Sequence, residues 1–225
     1  MISIAYANVC GWRNKNEEWR YELSGVSGAR HDVLGVCETM MSAGAQQQQM
    51  SGWQWDAVNS AAMPGERAHG GVGVWHRSSL GADVEASRSS SDALVGRVQW
   101  LHLPGSGGYR ATSVAMLYAP VASGAAGAVR AAERFWQQLG AEVAMRSADS
   151  DVLLLGDMNG RVGMLGDSKE NANGRLLLAM CEAQDLVVLN AEHAFGVRTY
   201  SRGDRVSSTI DYVRARRCSA SCACA

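Results

Sequence analysis

Five polar residues stand where apolar runs of the sequence end: Asn8, Glu38, Tyr118, Asp157 and Asn159. A carboxylate and an amide two positions apart on an extended backbone point to the same side. Asp157 can then take a proton from a water while Asn159 orients that water. Glu38 offers hard oxygen, the donor that Mg²⁺ or Mn²⁺ prefers. Together these are the parts of a metal-assisted attack on a phosphate ester. Each residue type also has an ordinary use. Asparagine is common in turns and caps, an acid can simply terminate a strand, and Asp-x-Asn-Gly is a common turn sequence. What carries the reading is their succession along the chain.

These groups need a rigid frame, and the chain is long enough to supply one. Its 225 residues suit a single domain, which would bury roughly 70% of the surface of its unfolded chain. Hydrophobic residues make up 47% and charged residues 19%, a globular composition. A net charge of −1 gives no global positive field, so binding to a polyanion would need a local patch. Arg198, Arg202, Arg205, Arg214, Arg216 and Arg217 supply a candidate patch, although a solvated face reads the same way. No apolar stretch is long enough to span a bilayer, and the sequence after Met1 lacks the pattern of a secretory leader. Cys10, Cys37 and Cys181 lie in apolar segments, the usage of reduced thiols, so the expected address is intracellular.

Residues 2–9 alternate as a strand, with Ile2, Ile4 and Tyr6 on one face. Residues 33–38, 53–58, 71–76, 94–103, 112–118, 151–156 and 186–190 read as further strands, and 199–200 and 209–213 as two short last ones. Helices are expected over 15–23, 126–145 and 173–182. Residues 46–49 are a glutamine run suited to a loop. Strands dominate, and helices occur without strict βαβ alternation. This order fits an α/β fold of two packed mixed β-sheets flanked by helices, a four-layer α-β-β-α sandwich. Trp12, Trp53, Trp55, Trp75, Trp100 and Trp136 are expected in cores or on sheet faces rather than as base-stacking platforms.

The ordered set of motifs resembles the endonuclease/exonuclease/phosphatase superfamily. The resembling segments are Ala7-Asn8-Val9, the run from Val33 to Thr39, Gly70-Gly71-Val72-Gly73-Val74, Tyr118-Ala119-Pro120, Gly156-Asp157-Met158-Asn159 and Ser208-Thr209-Ile210-Asp211-Tyr212. Gly160-Arg161-Val162-Gly163, Asn173-Gly174-Arg175-Leu176 and Arg198-Thr199-Tyr200 are similar to the endonuclease domain of non-LTR retrotransposons. The resemblance implies that Asn8 and Glu38 arrange and bind a catalytic Mg²⁺ or Mn²⁺. It implies that Tyr118 contacts the phosphate, and that Asp157 and Asn159 activate and orient water. Thr199 and Ser208 would contact the substrate backbone, and Asp211 would orient a catalytic histidine. The function implied is a metal-dependent phosphodiester hydrolase, a retroelement-type endonuclease acting on DNA without membrane insertion.

The resemblance stops short at one point. No Ser-Asp-His follows Asp211, so the family's catalytic histidine and last metal-binding aspartate have no counterpart in this sequence. Cys10 also stands where many of these nucleases carry an acid. The expectation is one domain over residues 1–216 lacking its final strand, then an irregular tail over 217–225. Cys218, Cys222 and Cys224 in that tail match no recognised zinc finger. Loss of a transition-state donor costs on the order of 10²–10³ in rate, so impaired catalysis is expected. A phosphatase of the same superfamily and a non-catalytic nucleic-acid-binding remnant remain the alternatives.

Overall fold

The computed structural model describes residues 2–11, 31–41, 50–58, 70–86, 93–123, 125–165, 167, 169–193, 195, 197, 199–202, 206–208 and 211–216. The expected helix over 15–23, the glutamine run and the cysteine tail lie outside these residues.

Strands β1 (Ile4–Asn8), β2 (Val33–Cys37), β3 (Trp53–Val58) and β4 (Val72–Arg77) form one sheet in the order β1-β2-β4-β3. β1 and β2 are parallel, and the other pairs are antiparallel. The second sheet holds β5 (Asp83–Ala86), β6 (Val98–Leu103), β7 (Ala111–Tyr118), β8 (Ser150–Asp157), β9 (Leu186–Val188) and β12 (Asp211–Arg216). Its order is β5-β6-β7-β8-β12-β9, and only β7 and β8 run parallel. β10 (Tyr200–Arg202) and β11 (Val206–Ser208) make a separate hairpin. Helices α1 (Ala126–Arg146), α2 (Ala172–Ala183) and α3 (Leu189–His193), with short 3₁₀ helices at Ser78–Leu80 and Gly163–Leu165, complete the described elements.

The alternation of side chains sorts these elements into layers. From β7, Val114 and Met116 meet Val33, Cys37, Val72 and Val74 of the first sheet, which makes the inter-sheet core. Ala115 and Leu117 point the other way, into Phe135, Trp136, Leu139 and Val143 of α1 and Leu177 of α2. Leu34, Val36, Trp53 and Trp75 line the outer face of the first sheet. β2 and β7 are therefore covered on both faces, which explains their almost unbroken apolar sequence. α1 buries Ala132, Phe135, Trp136, Leu139 and Val143 at helical spacing. The same side carries a polar lock, in which Trp100 Nε1 donates to the buried Glu142 carboxylate at 2.5 Å and the Arg146 guanidinium stacks on Trp100 at 4.3 Å.

Several boundaries differ from the sequence expectation, each for a local reason. The strand expected over 186–190 stops at Val188, and Leu189–His193 turns into a short helix. The strand expected from residue 94 begins at Val98, because Arg97 and Val98 close a turn onto the Leu94 carbonyl. β5 and β11 are short edge or hairpin strands rich in polar residues, so apolar alternation did not mark them.

The parallel pairs fix where chemistry can occur. β1 and β2 end at Asn8 and Cys37, while β7 and β8 end at Tyr118 and Asp157. Hydrogen bonds from β1 to the ends of β7 and β8 place all four C-terminal ends on one rim of the sandwich. β8 approaches β7 closely there: a Cβ on Gly156 would lie 2.2 Å from the Leu117 carbonyl oxygen. Backbone cannot step aside as a flexible side chain can. Gly156→Ala should therefore cost about 1–3 kcal/mol, read as a lowered urea midpoint. An unchanged midpoint would contradict this close approach.

Candidate functional site

Local backbone geometry turns the strand ends into a site. Among the described residues, four of the five non-glycine residues with positive φ follow these ends: Cys10 (44°), Glu38 (52°), Met40 (51°) and Asn159 (48°). Such conformations are costly for L-residues and persist where surrounding bonds over-determine them. Those bonds are present. Val9 N donates to Cys37 O at 3.1 Å, Gly11 N to Glu38 O at 2.8 Å and Met40 N to Gly70 O at 2.9 Å.

Asp157 is the centre of the rim. It is only 2% exposed. Its Oδ2 accepts from Asn8 Nδ2 at 3.2 Å, across the two sheets, and its Oδ1 accepts from Asn159 N at 2.8 Å. Asn8 Oδ1 in turn accepts from Cys10 N at 3.1 Å, which sets the plane of the amide. Asp157 and Asn159 come together differently from the expected alternation on an extended strand. The Asp157 carboxylate captures the amide two residues on, an Asx turn, and Asn159 leaves the strand at positive φ. Asn159 Nδ2 then donates to Ala119 O at 2.8 Å, joining the loop after β8 to the loop after β7.

Tyr118 lies within the fields of both carboxylates, Glu38 and Asp157. Burial first, then Glu38, push its ionisation well above the ordinary phenol range, so it remains a proton donor. Arg97 stacks its guanidinium 5.7 Å from the Tyr118 ring and directs Nη1 to Tyr118 O at 3.4 Å. Burial lowers the Arg97 pKa, yet arginine stays cationic under all ordinary conditions. The rim thus sets a fixed cation and a neutral phenol beside two carboxylates.

The structure brings Asn8, Glu38, Tyr118, Asp157 and Asn159 to this one rim. Asp211 is the register partner of Asp157 on the neighbouring strand, so its backbone is adjacent to the site. Ser208 pairs with Tyr200 in the β10–β11 hairpin, and Thr199 is exposed just before it. This hairpin pairs with neither sheet among the described residues.

Four further residues belong to the site and were not among the expected site residues: Tyr6, Arg97, Asn171 and Asn173. Asn171 caps α2, accepting from Gly174 N at 2.8 Å and Arg161 N at 3.0 Å, while its Nδ2 donates to Asn159 O at 3.0 Å. Asn173 Nδ2 donates to Pro120 O at 2.5 Å, and its Oδ1 accepts from Trp136 Nε1 at 3.0 Å. A Cβ on Gly174 would lie 2.0 Å from Arg161 O, so only glycine lets α2 abut the Asn159 loop. The spacing Asn171-x-Asn173-Gly174 at a helix start was the available signal, since Asn is a strong N-cap.

Glu38 and Asp157 offer hard carboxylate oxygens, and Mg²⁺ commonly takes one or two carboxylates and keeps its waters. No group of three or more His, Cys, Asp or Glu side chains placed to hold a metal occurs among the described residues. Carboxylate oxygens of this kind suit a hard cation rather than one that prefers soft ligands.

Two mixed sheets packed face to face, with helices outside and polar groups gathered at one rim, define an α/β-sandwich class. Within it, the chain belongs to the Endonuclease/Exonuclease/phosphatase family, whose model matches residues 5–217. No curated protein matches the sequence. Among solved structures, the AP endonuclease LMAP from Leishmania major superposes with a TM-score of 0.74 at 14% identity, covering 96% of this chain and 79% of that one. The 3′ phosphatase NExo from Neisseria, bound to a product DNA hairpin, gives 0.74 at 15% identity, covering 96% and 87%. The catalytic domain of Xenopus laevis APE2 gives 0.72 at 16% identity, covering 95% and 82%. At these identities the likeness is one of fold.

The Tyr118 shift has a consequence for stability. The folded chain holds this proton more tightly than the unfolded chain. Above the ordinary phenol range, about pH 10, the unfolded state releases it while the folded state retains it, so stability falls as pH rises. Urea midpoints followed from about pH 8 to 11 should fall less steeply in Tyr118→Phe than in the wild type. Parallel slopes would show that the phenol is not held as described.

Proposed function

We propose that this chain is a divalent-metal-dependent phosphodiester hydrolase acting on DNA, of the retroelement endonuclease type. The observation that carries the reading is the Asp157 carboxylate, buried and held by Asn8 Nδ2 and Asn159 N beside Glu38, Tyr118 and Arg97. Both carboxylate oxygens of Asp157 are oriented by N–H donors, which aims the group that would accept a proton from an attacking water. Asn159 is fixed through Ala119 O, so its position relative to Asp157 is set before substrate arrives. Tyr118 donates a hydrogen bond, and Arg97 adds positive charge where a phosphate would gather negative charge. Mg²⁺ or Mn²⁺, held by Glu38 with Asn8 and Asp157 beside it, would supply charge neutralisation on the phosphate.

DNA as the substrate class draws support from two structural neighbours, one named as an AP endonuclease and one as a 3′ phosphatase bound to a product DNA hairpin. The retroelement type rests on the Gly160-Arg161-Val162-Gly163 continuation and on Asn173-Gly174-Arg175. The latter packs against the catalytic loop through Gly174 and Asn173.

Among the described residues no histidine stands at this rim. His31 bonds Ser3 before β1, His102 faces Ser113 near the start of β7, and His193 is exposed on α3. Single-turnover nicking of supercoiled plasmid should require Mg²⁺ or Mn²⁺ and stop with chelator. Asp157→Asn should lower the rate by about 10²–10⁴. Cleavage that persists in Asp157→Asn, or that ignores chelator, would refute the assignment, while activity on small phosphate monoesters alone would favour a phosphatase.

A further inference from the structure

Tyr6 occupies an unusual position in the inter-sheet core. Its ring leaves β1 on the face that packs among the apolar residues between the sheets. Its hydroxyl crosses the gap and makes two bonds with the second sheet. Oη donates to Leu117 O at 2.9 Å and accepts from Asp157 N at 3.1 Å. One oxygen atom thereby ties the end of β1 to the residue before Tyr118 and to the backbone of Asp157 itself.

The geometry matters because three groups of the site hang on the segments that Tyr6 joins. Asn8 lies two residues further along β1, on the same face as Tyr6, and reaches Asp157 Oδ2 at 3.2 Å. Asp157 and Tyr118 are register partners at the ends of β8 and β7. Apolar packing resists sliding between two sheets only weakly, since dispersion is non-directional. A bifunctional hydroxyl between them is directional, and its loss would leave a buried amide and a buried carbonyl without this partner.

We propose that Tyr6 is a positioning residue for phosphodiester hydrolysis, setting the Asp157 carboxylate against Asn8 by locking β1 to the ends of β7 and β8. This rests on the hydrolase reading above. It acts through Asp157 and touches no substrate.

The test pairs Tyr6→Phe with Ser113→Ala. Ser113 Oγ bonds Ser150 Oγ at 2.7 Å and joins the same β7 and β8 near their opposite ends, also in a buried setting. Both variants lose one buried hydrogen-bonding group, so both should lower the thermal midpoint. Tyr6→Phe alone should lower kcat for Mg²⁺-dependent nicking, by about tenfold, with KM within about twofold. Ser113→Ala should leave kcat at the wild-type value. Wild-type kcat in Tyr6→Phe, or an equal loss in both variants, overturns the proposal.

If Tyr6→Phe does not fold, 3-fluorotyrosine placed at position 6 alone weakens the acceptor while keeping the shape. It should then lower kcat by roughly two- to threefold, and an unchanged kcat overturns the proposal. If the wild type itself does not cleave, the hydrolase reading fails separately. Hydrogen exchange then decides about Tyr6: faster exchange of the Asp157 amide in Tyr6→Phe but not in Ser113→Ala supports the lock, and unchanged exchange removes it.

Discussion

The hydrogen bond from Asn8 to Asp157 is the constraint around which this molecule is arranged, because there, with the Tyr6 bonds beside it, one sheet meets the other through chemistry rather than through packing. Two sheets face each other about 10 Å apart, and the space between their centres is filled by Val33, Cys37, Val72, Val114, Met116 and Leu155. Polar groups from opposite sheets can meet only where that core runs out. The parallel pairs β1–β2 and β7–β8 make the meeting productive, since each delivers two strand ends to the same edge. Antiparallel pairs would have sent half of those ends to the far side.

Holding this edge in place is costly, and the structure shows what offsets it. Cys10, Glu38, Met40 and Asn159 adopt left-handed backbone conformations that few side chains favour. Asp157 is a carboxylate almost wholly removed from water. Each is retained by bonds to rigid neighbours: the strand ladders on one side, and on the other the start of α2, where Asn171 and Asn173 grip the Asn159 loop. Trp136 bonds Asn173 from within α1, so the Asn159 loop is connected to the main helix–sheet core. Strain at the edge is thus stabilised by apolar burial elsewhere, the usual division of labour between a scaffold and a site.

The sequence was informative where one physical rule acted alone. β3 and the body of α1 were legible because burial on one face imposes a simple period, and β2 and β7 because burial on two faces imposes an apolar run. The residues that gather at the rim were legible as polar residues closing such runs. Other features depend on contacts that no local pattern encodes. Tyr6 reads as an ordinary inward-facing strand residue, and nothing nearby in sequence reveals that its hydroxyl reaches residues 117 and 157. Arg97 reads as one more residue of the strand expected over 94–103 until its guanidinium is seen over Tyr118. Leu189 continues an apolar run, yet the chain coils there into α3 instead of extending the edge strand. The alternation argument placed Asp157 and Asn159 on one side, whereas an Asx turn brings them together.

The central claim is that these strand ends form a seat for a hard divalent cation. Paramagnetic Mn²⁺, titrated at substoichiometric levels into isotope-labelled protein, tests it most directly, because relaxation enhancement falls off steeply with distance from the bound ion. The account predicts that the amides of Asn8, Glu38 and Asp157 broaden first while those of Ser113 and Ser150, at the opposite edge, keep their intensity. Uniform broadening, or broadening centred anywhere else on the molecule, would contradict it.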